Sequence, residues 1–296
     1  MFAAFKKNKL KFTLFLTLFS TQLCAESKYY LSVCAIFRNE ARFLKEWIEY
    51  HQMIGVEHFY LFNNLSEDSY YGVLEPYVKK GIVELFDWPY ESQYHKNWTH
   101  IQCGAYNKLI DQRRKETFWL AIIDTDEFIV PLKKETLPKF LKSYEKYGGI
   151  GINWQLYGTS DIYRIPDTQT LIGTLLKKAP ENLEQNRFVK TIFQPKTIKE
   201  MKKPHHCKYK KGYFHVTENK VPFPANKSLT DTVSISKIRI NHYTYRDEEF
   251  FYGEKQRRVA VWFPEAPPLE MNPAFNAEDD PIMLSFVPKL EKRLNH

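Results

Sequence analysis

The strongest chemical signal in this chain of 296 residues is a pair of acids that closes an apolar run. Phe118-Trp119-Leu120-Ala121-Ile122-Ile123 leads directly into Asp124-Thr125-Asp126-Glu127-Phe128. Side chains of an extended segment alternate between faces, so Asp124 and Asp126 are expected to project to one side. Two converging carboxylates suit a hard divalent cation whose remaining positions go to water and substrate phosphate. Such a cation neutralises a departing diphosphate, acting as Lewis acid and template.

A pair placed in this way needs a sheet behind it. From Tyr29 to about Gln155, segments of strand and helix character alternate. Strands are predicted over 30–37, 58–62, 82–86 and 118–123. Phe43, Leu44, Trp47, Ile48, His51 and Ile54 recur at helical spacing before Gly55. Further helices are predicted over 70–80, capped by Ser66-Glu67-Asp68-Ser69, and over 98–111. Continuous apolar strands alternating with amphipathic helices imply an α/β fold with a mostly parallel sheet covered on both faces. Ligands of such sheets bind outside the carboxyl ends of the strands. Three polar clusters fall there: Arg38-Asn39-Glu40, Asn63-Asn64 and Asp124-Thr125-Asp126-Glu127. Past Trp154 the rhythm changes to short strands (188–193, 213–216, 235–243) between Pro-rich and Lys-rich loops. A helix over 247–261 follows. The tail, with Pro264, Pro267, Pro268, Pro273, Pro281 and Pro288, is expected to lie extended over the surface. With no linker in view, residues 26–296 read as one domain, 26–155 forming the first half and 156–296 an elaborated second half.

Composition narrows the class. Hydrophobic residues at 43% and charged residues at 26% exclude a disordered or fibrous chain. The 22 Phe and 19 Tyr supply flat surfaces for a core or for sugar stacking. Residues 1–25 hold Lys6, Lys7, Lys9 and Lys11, an apolar run from Phe12 to Phe19, and a small residue, Ala25, at the end. That order reads as a signal peptide, with an uncleaved anchor as the alternative, and implies export or a lumenal location. The run is shorter than the ~20 apolar residues of a membrane span, and no later segment is a candidate. The formal charge of +8 falls to +4 without the leader's four Lys. Residues 177–211 hold eleven Lys or Arg against three Glu, which leaves the remainder slightly acidic. So localised a charge argues against a nucleic-acid partner and fits either a phosphate site or a solvated loop. Cys34, Cys103 and Cys207 allow at most one bridge and otherwise read as buried thiols. Asn64-Leu65-Ser66, Asn97-Trp98-Thr99 and Asn226-Lys227-Ser228 match the glycan-acceptor pattern.

Asp-x-Asp after an apolar strand also occurs in phosphohydrolases of the haloacid dehalogenase type. These normally carry Thr or Val where this chain has Phe128. Asp124-Thr125-Asp126-Glu127-Phe128-Ile129-Val130-Pro131 instead resembles the DxD-EF signature of glycosyltransferase family 92. Upstream, Asn39-Glu40-Ala41, Glu46-Trp47-Ile48-Glu49-Tyr50-His51 and Phe59-Tyr60-Leu61 resemble the family's opening block. Trp88-Pro89, Gln102 and Ala105-Tyr106-Asn107 resemble its middle block. Ile240-Asn241-His242-Tyr243, Glu248-Glu249-Phe250 and Lys255 resemble its late block. The chain departs from the family at Tyr245-Arg246-Asp247, at Arg258 and in the loop Gly158-Thr159-Ser160-Asp161.

The resemblance implies a GT-A fold, a UDP-sugar donor (UDP-galactose in animal members), Mn²⁺ or Mg²⁺, and transfer to a glycan hydroxyl with inversion. By position, Asp124 and Asp126 become donor and metal carboxylates, and His242 a third metal ligand with His205 and His206 as rivals. Arg38, Asn39, Glu40 and Asn63, with Asn64 and Asp68 beside it, fall where the nucleotide lies. Trp154, Tyr157 and the 158–161 loop suit the acceptor. The general base that inversion requires is sought at Asp161 or Glu248, with Asp247 and Glu249 nearby. A metal-dependent phosphohydrolase and an inactive glycan-binding member are the competing readings.

Overall fold

A computed structural model of the chain describes residues 27–93, 95–133 and 136–295. The leader expected over 1–25 lies outside them. The first half runs β1 (Tyr29–Phe37), α1 (Ala41–Met53), β2 (His58–Asn63), α2 (Tyr70–Lys79), β3 (Val83–Asp87), α3 (His95–Arg113), β4 (Thr117–Ile122), β5 (Glu127–Pro131) and α4 (Leu137–Leu141). The second half adds β6 (Gly149–Leu156), α5 (Leu171–Thr174), β7 (Lys177–Lys178), β8 (Val189–Phe193), β9 (Ile198–Lys203), β10 (His206–Tyr209), β11 (His215–Val216) and β12 (Ile238–His242). It ends with α6 (Glu248–Phe250), α7 (Gln256–Trp262), β13 (Glu278–Asp279) and α8 (Val287–Leu294).

The main sheet has the order β3-β2-β1-β4-β8-β6-β12-β5, with β11 paired to β6. Strands β1 to β4 are mutually parallel, as continuous apolar runs joined by helices require. The alternation of β1 explains why nearly every residue in it is apolar. Leu31, Val33, Ala35 and Phe37 face the core that holds Leu44, Trp47 and Ile48 of α1. Cys34 and Ile36 face the opposite core, with Tyr106, Leu109 and Ile110 of α3.

Beyond β4 the sheet is mixed. Strand β8 runs antiparallel to both β4 and β6, and β12 is parallel to β6 but antiparallel to β5. The acid pair therefore does not end a strand in alternation. β4 stops at Ile122, and Asp124 to Asp126 form the turn into β5, closed by the Glu127 amide donating to the Asp124 carbonyl at 3.1 Å.

The tail also differs from the extended strap expected of it. Three of its prolines, Pro273, Pro281 and Pro288, stand in the first turns of short helices, where a missing N–H breaks no bond. Asn272 and Asp280 cap two of these turns, and α8 buries Leu290 while Arg293 donates to Glu49 of α1 at 2.8 Å. The predicted helix over 247–261 forms with a π-helical turn, Phe251–Lys255, between α6 and α7. Cys34, Cys103 and Cys207 are free and buried, and burial pushes their thiols up, Cys207 to about 12. Among the described residues no helix is long and apolar enough to cross a membrane.

Candidate active site

A cleft of about 490 Å³ opens beside the turn that follows β4. Asp124, Asp126, Lys190, His242, Lys255 and Arg258 line it, with Trp98, Trp154 and Trp262 among its walls. It lies past the carboxyl end of β4, where parallel sheets bind ligands.

The first charged group is built on β8. Lys190 is buried, and its Nζ stands 2.6 Å from Asp124 Oδ2 and 3.6 Å from Glu127 Oε2. Burial disfavours the ammonium, but the attraction of Asp124 and Glu127 outweighs it and holds the Lys190 pKa above its ordinary value. For Glu127 burial wins over Lys190 and raises the carboxyl well above the usual range. Glu127 Oε2 accepts the Asp124 amide at 2.9 Å. Gln102 of α3 adds a contact of 3.3 Å to Asp124 Oδ1.

The second group centres on Asp126. Strand β12 lies antiparallel to β5 with His242 opposite Glu127, which carries the imidazole to the acidic turn. His242 Nε2 is 3.5 Å from Asp126 Oδ1, and Lys255 Nζ is 3.2 Å from Asp126 Oδ2. Burial opposes ionisation of Asp126, yet Lys255 and His242 hold its carboxyl well below the usual range. Trp154 packs on His242 at 4.5 Å between ring centres and on His205 at 5.3 Å. His205 is pushed down to about 3, first by burial and then by Lys190, so it is neutral at physiological pH. His206 points elsewhere, to Ser228 Oγ at 3.1 Å.

Among the described residues no three His, Cys, Asp or Glu side chains form a ready cation cage. Asp124 is engaged by Lys190. Among the described residues Asp126 and His242 face each other with a carboxylate oxygen and an imidazole nitrogen, and His242 Nδ1 is buried there without a hydrogen-bond partner. That pair suits an ion of the Mn²⁺ or Mg²⁺ kind, which takes one or two protein ligands and leaves the rest to phosphate and water.

The third group joins two residues of the cleft wall, Glu40 and Arg258, to the fully buried Arg246. Glu40 is buried between two guanidinium groups, Arg246 at 2.5 Å and Arg258. Arg246 is fully buried at φ +57° and sits 4.1 Å over the Phe43 ring. Its Nε and Nη1, and Nε of Arg258, have no hydrogen-bond partner among the described residues.

The residues expected at the nucleotide divide. Glu40 reaches the cleft wall, and the Arg38 carbonyl accepts from Arg258 at 3.2 Å. Asn39 adopts φ +52° and stitches two loops, donating to Glu254 and accepting from the Glu67 amide, each at 2.7 Å. Asn63 does not line the cleft but bonds Tyr70 at 2.9 Å. Asn64 holds the wall, accepting from Trp262 Nε1 at 3.0 Å; it is 1% exposed, so its acceptor pattern has no room for a glycan. Asp68 caps α1 from a distance through the Ala41 amide at 2.7 Å.

On the acceptor side, Trp154 lines the cleft and Tyr157 is buried against Asp280. Asp161 is exposed, paired with Lys177 at 2.8 Å and with Asn276 at 3.1 Å. Glu248 takes a weak contact from Thr159 at 3.4 Å. Asp247 caps α6 and binds Arg42 at 2.6 Å, while Glu249 pairs with Arg164. None of these four acids lines the cleft. Sequence reasoning had no assigned role for Lys190, although it lies in the basic stretch. Of that stretch only Lys190, Lys203 and His205 reach the cleft together with Pro204.

Residues 27–269 match the sequence model of glycosyltransferase family 92. A glycosyltransferase family 92 protein of Arabidopsis thaliana is 26% identical over 249 residues, 79% of this chain and 38% of the relative. A galactan beta-1,4-galactosyltransferase of the same plant is 27% identical over 107 residues, 35% of this chain and 21% of the relative. The chain thus spans about two fifths of the length of the family 92 relative. Among solved structures, S. aureus TarS 1–349 in complex with UDP-GlcNAc is 15% identical, with a TM-score of 0.40, and covers 81% of this chain and 68% of that one. On its sequence, matched over most of its length, the chain belongs to glycosyltransferase family 92.

Proposed function

We propose that the protein transfers a hexose, galactose first among candidates, from a UDP-sugar to a glycan hydroxyl with inversion. The observation that carries this reading is the meeting of Asp126, His242 and Lys255 at one cleft beyond the carboxyl end of β4. An acid, an imidazole and a cation so arranged match a diphosphate and its counter-ion better than any neutral ligand. The choice of galactose follows the partial likeness to a galactosyltransferase. Mn²⁺ is the metal proposed for Asp126 and His242; when bound it neutralises the charge that builds on departing UDP. Lys190 fixes the acidic turn by holding Asp124 against β8, so the carboxylates need not reorganise as the bond breaks. Trp154, with Trp98 and Trp262, supplies an apolar wall against which the sugar ring can lie.

The test is a turnover assay with a panel of UDP-sugars and glycan acceptors, with and without Mn²⁺. Transfer from UDP-galactose that needs Mn²⁺ is expected. Phosphate release from simple esters without a sugar acceptor would instead favour the phosphohydrolase reading.

A further inference from the structure

Lys255 and Arg258 lie three residues apart where the π-helical turn meets α7, and both line the cleft. One turn of helix separates them, so their side chains share a face. Arg258 is committed to Glu40 and to the Arg38 carbonyl. Among the described residues Lys255 has a single ion-pair contact, to Asp126 Oδ2 at 3.2 Å, and its side chain is 15% exposed, on the cleft side. Around Glu40 and Asp126 stand three buried cations, Arg246, Lys255 and Arg258. A buried charge without a full counter-charge is expensive, and Nε of Arg258, which lines the cleft, has no hydrogen-bond partner among the described residues. The region is therefore set to receive an anion.

We propose that Lys255 is a counter-ion stored on Asp126 that changes partner when the donor enters. Its ammonium leaves Asp126 for the diphosphate, and the released carboxylate, together with His242, takes the divalent cation. Before the donor arrives, ammonium and metal compete for one carboxylate. After it arrives, both stabilise the same pyrophosphate. The proposal rests on the donor reading above and adds a residue and an order of events to it.

Competition and cooperation give opposite signs in one variant. Calorimetry on the full chain, with Mn²⁺ alone and then with UDP in saturating Mn²⁺, separates them. Lys255→Gln is expected to bind Mn²⁺ alone roughly tenfold more tightly than the parent, and UDP roughly tenfold more weakly, since close charge pairs couple by at least that much. Lys255→Arg keeps the charge and is expected to leave Mn²⁺ affinity near the parent's while restoring most of the UDP affinity. A side chain that merely packs would move both affinities of Lys255→Gln in one direction or neither. Mn²⁺ affinity that is unchanged or weaker in Lys255→Gln overturns the exchange and leaves the donor reading standing. Should the parent protein bind no UDP at any Mn²⁺ concentration, the donor reading fails and the exchange fails with it.

Discussion

The two halves of the molecule build the cleft from opposite charges. The first, from β1 to β5, contributes Glu40, Asp124 and Asp126, each fixed at a turn directly after a parallel strand or at the helix that follows. The second contributes Lys190 from an antiparallel strand, His242 from β12, and Lys255 and Arg258 from the interrupted helix. Neither half satisfies its own buried charges: Lys190 without Asp124, or Lys255 without Asp126, would be a stranded ion in the interior. The active-site charges therefore also join the halves, and mutations there should affect stability and turnover together.

Asp126→Ala should have the largest effect. It strips Lys255 and His242 of their shared partner, and turnover of UDP-sugar is expected to fall about 1,000-fold, in the range of losing a principal electrostatic contact. Rate assays check the loss of turnover, and thermal unfolding checks the loss of the shared partner. Lys190→Met, made from the other half, should cost roughly 1–3 kcal/mol in denaturant unfolding, because the charge-assisted contact to the partly exposed Asp124 is lost. Retention of parental stability in Lys190→Met would mean that the halves do not depend on each other's charges.

A smaller effect concerns Glu46, buried on α1, which accepts the amides of Leu171 and Ile172 at 2.7 and 3.0 Å. Burial raises its pKa from 4.5 to about 7, against those amides and Arg246. The folded state thus holds a proton that the unfolded chain gives up near 4.5. Its stabilising share is complete below that pH and is lost as pH rises through about 7. Glu46→Gln should remove this slope, up to about 1.4 kcal/mol per pH unit, from the pH profile of unfolding between pH 5 and 7. The smallest change is expected from Asp161→Asn and Glu248→Gln. Both lie off the cleft, so turnover should drop less than about tenfold, below what a general base supplies. A loss of 100-fold or more in either would place the acceptor's proton there.

The same division governs what the sequence could tell. In the first half the central strands β1, β2 and β4 are nearly continuous apolar runs because both faces are buried, and α1 shows its stripe, so the segments around Val33, Trp47, Phe59 and Trp119 could be placed from residues alone. Asp124 and Asp126 were visible because an acid after such a run has few structural reasons to be there. In the second half, Lys190 sits alone on a short strand among similar lysines, and only the sheet pairing of β8 with β4 carries it to Asp124. Arg246 and Arg258 depart from the family's pattern, yet they are the two residues that enclose Glu40; no local periodicity connects positions so distant in sequence. The tail was misread for a related reason. Its prolines suggested an extended strap, whereas their places in the first turns of helices depend on the neighbouring caps Asn272 and Asp280.

The most direct test is diffraction from crystals grown with UDP and Mn²⁺. Density for the pyrophosphate in the cleft, with the ion on Asp126 and His242 and the Lys255 ammonium moved onto a phosphate oxygen, is the predicted result. UDP seated away from these side chains, or absent while the acid pair keeps its lysines, would contradict it.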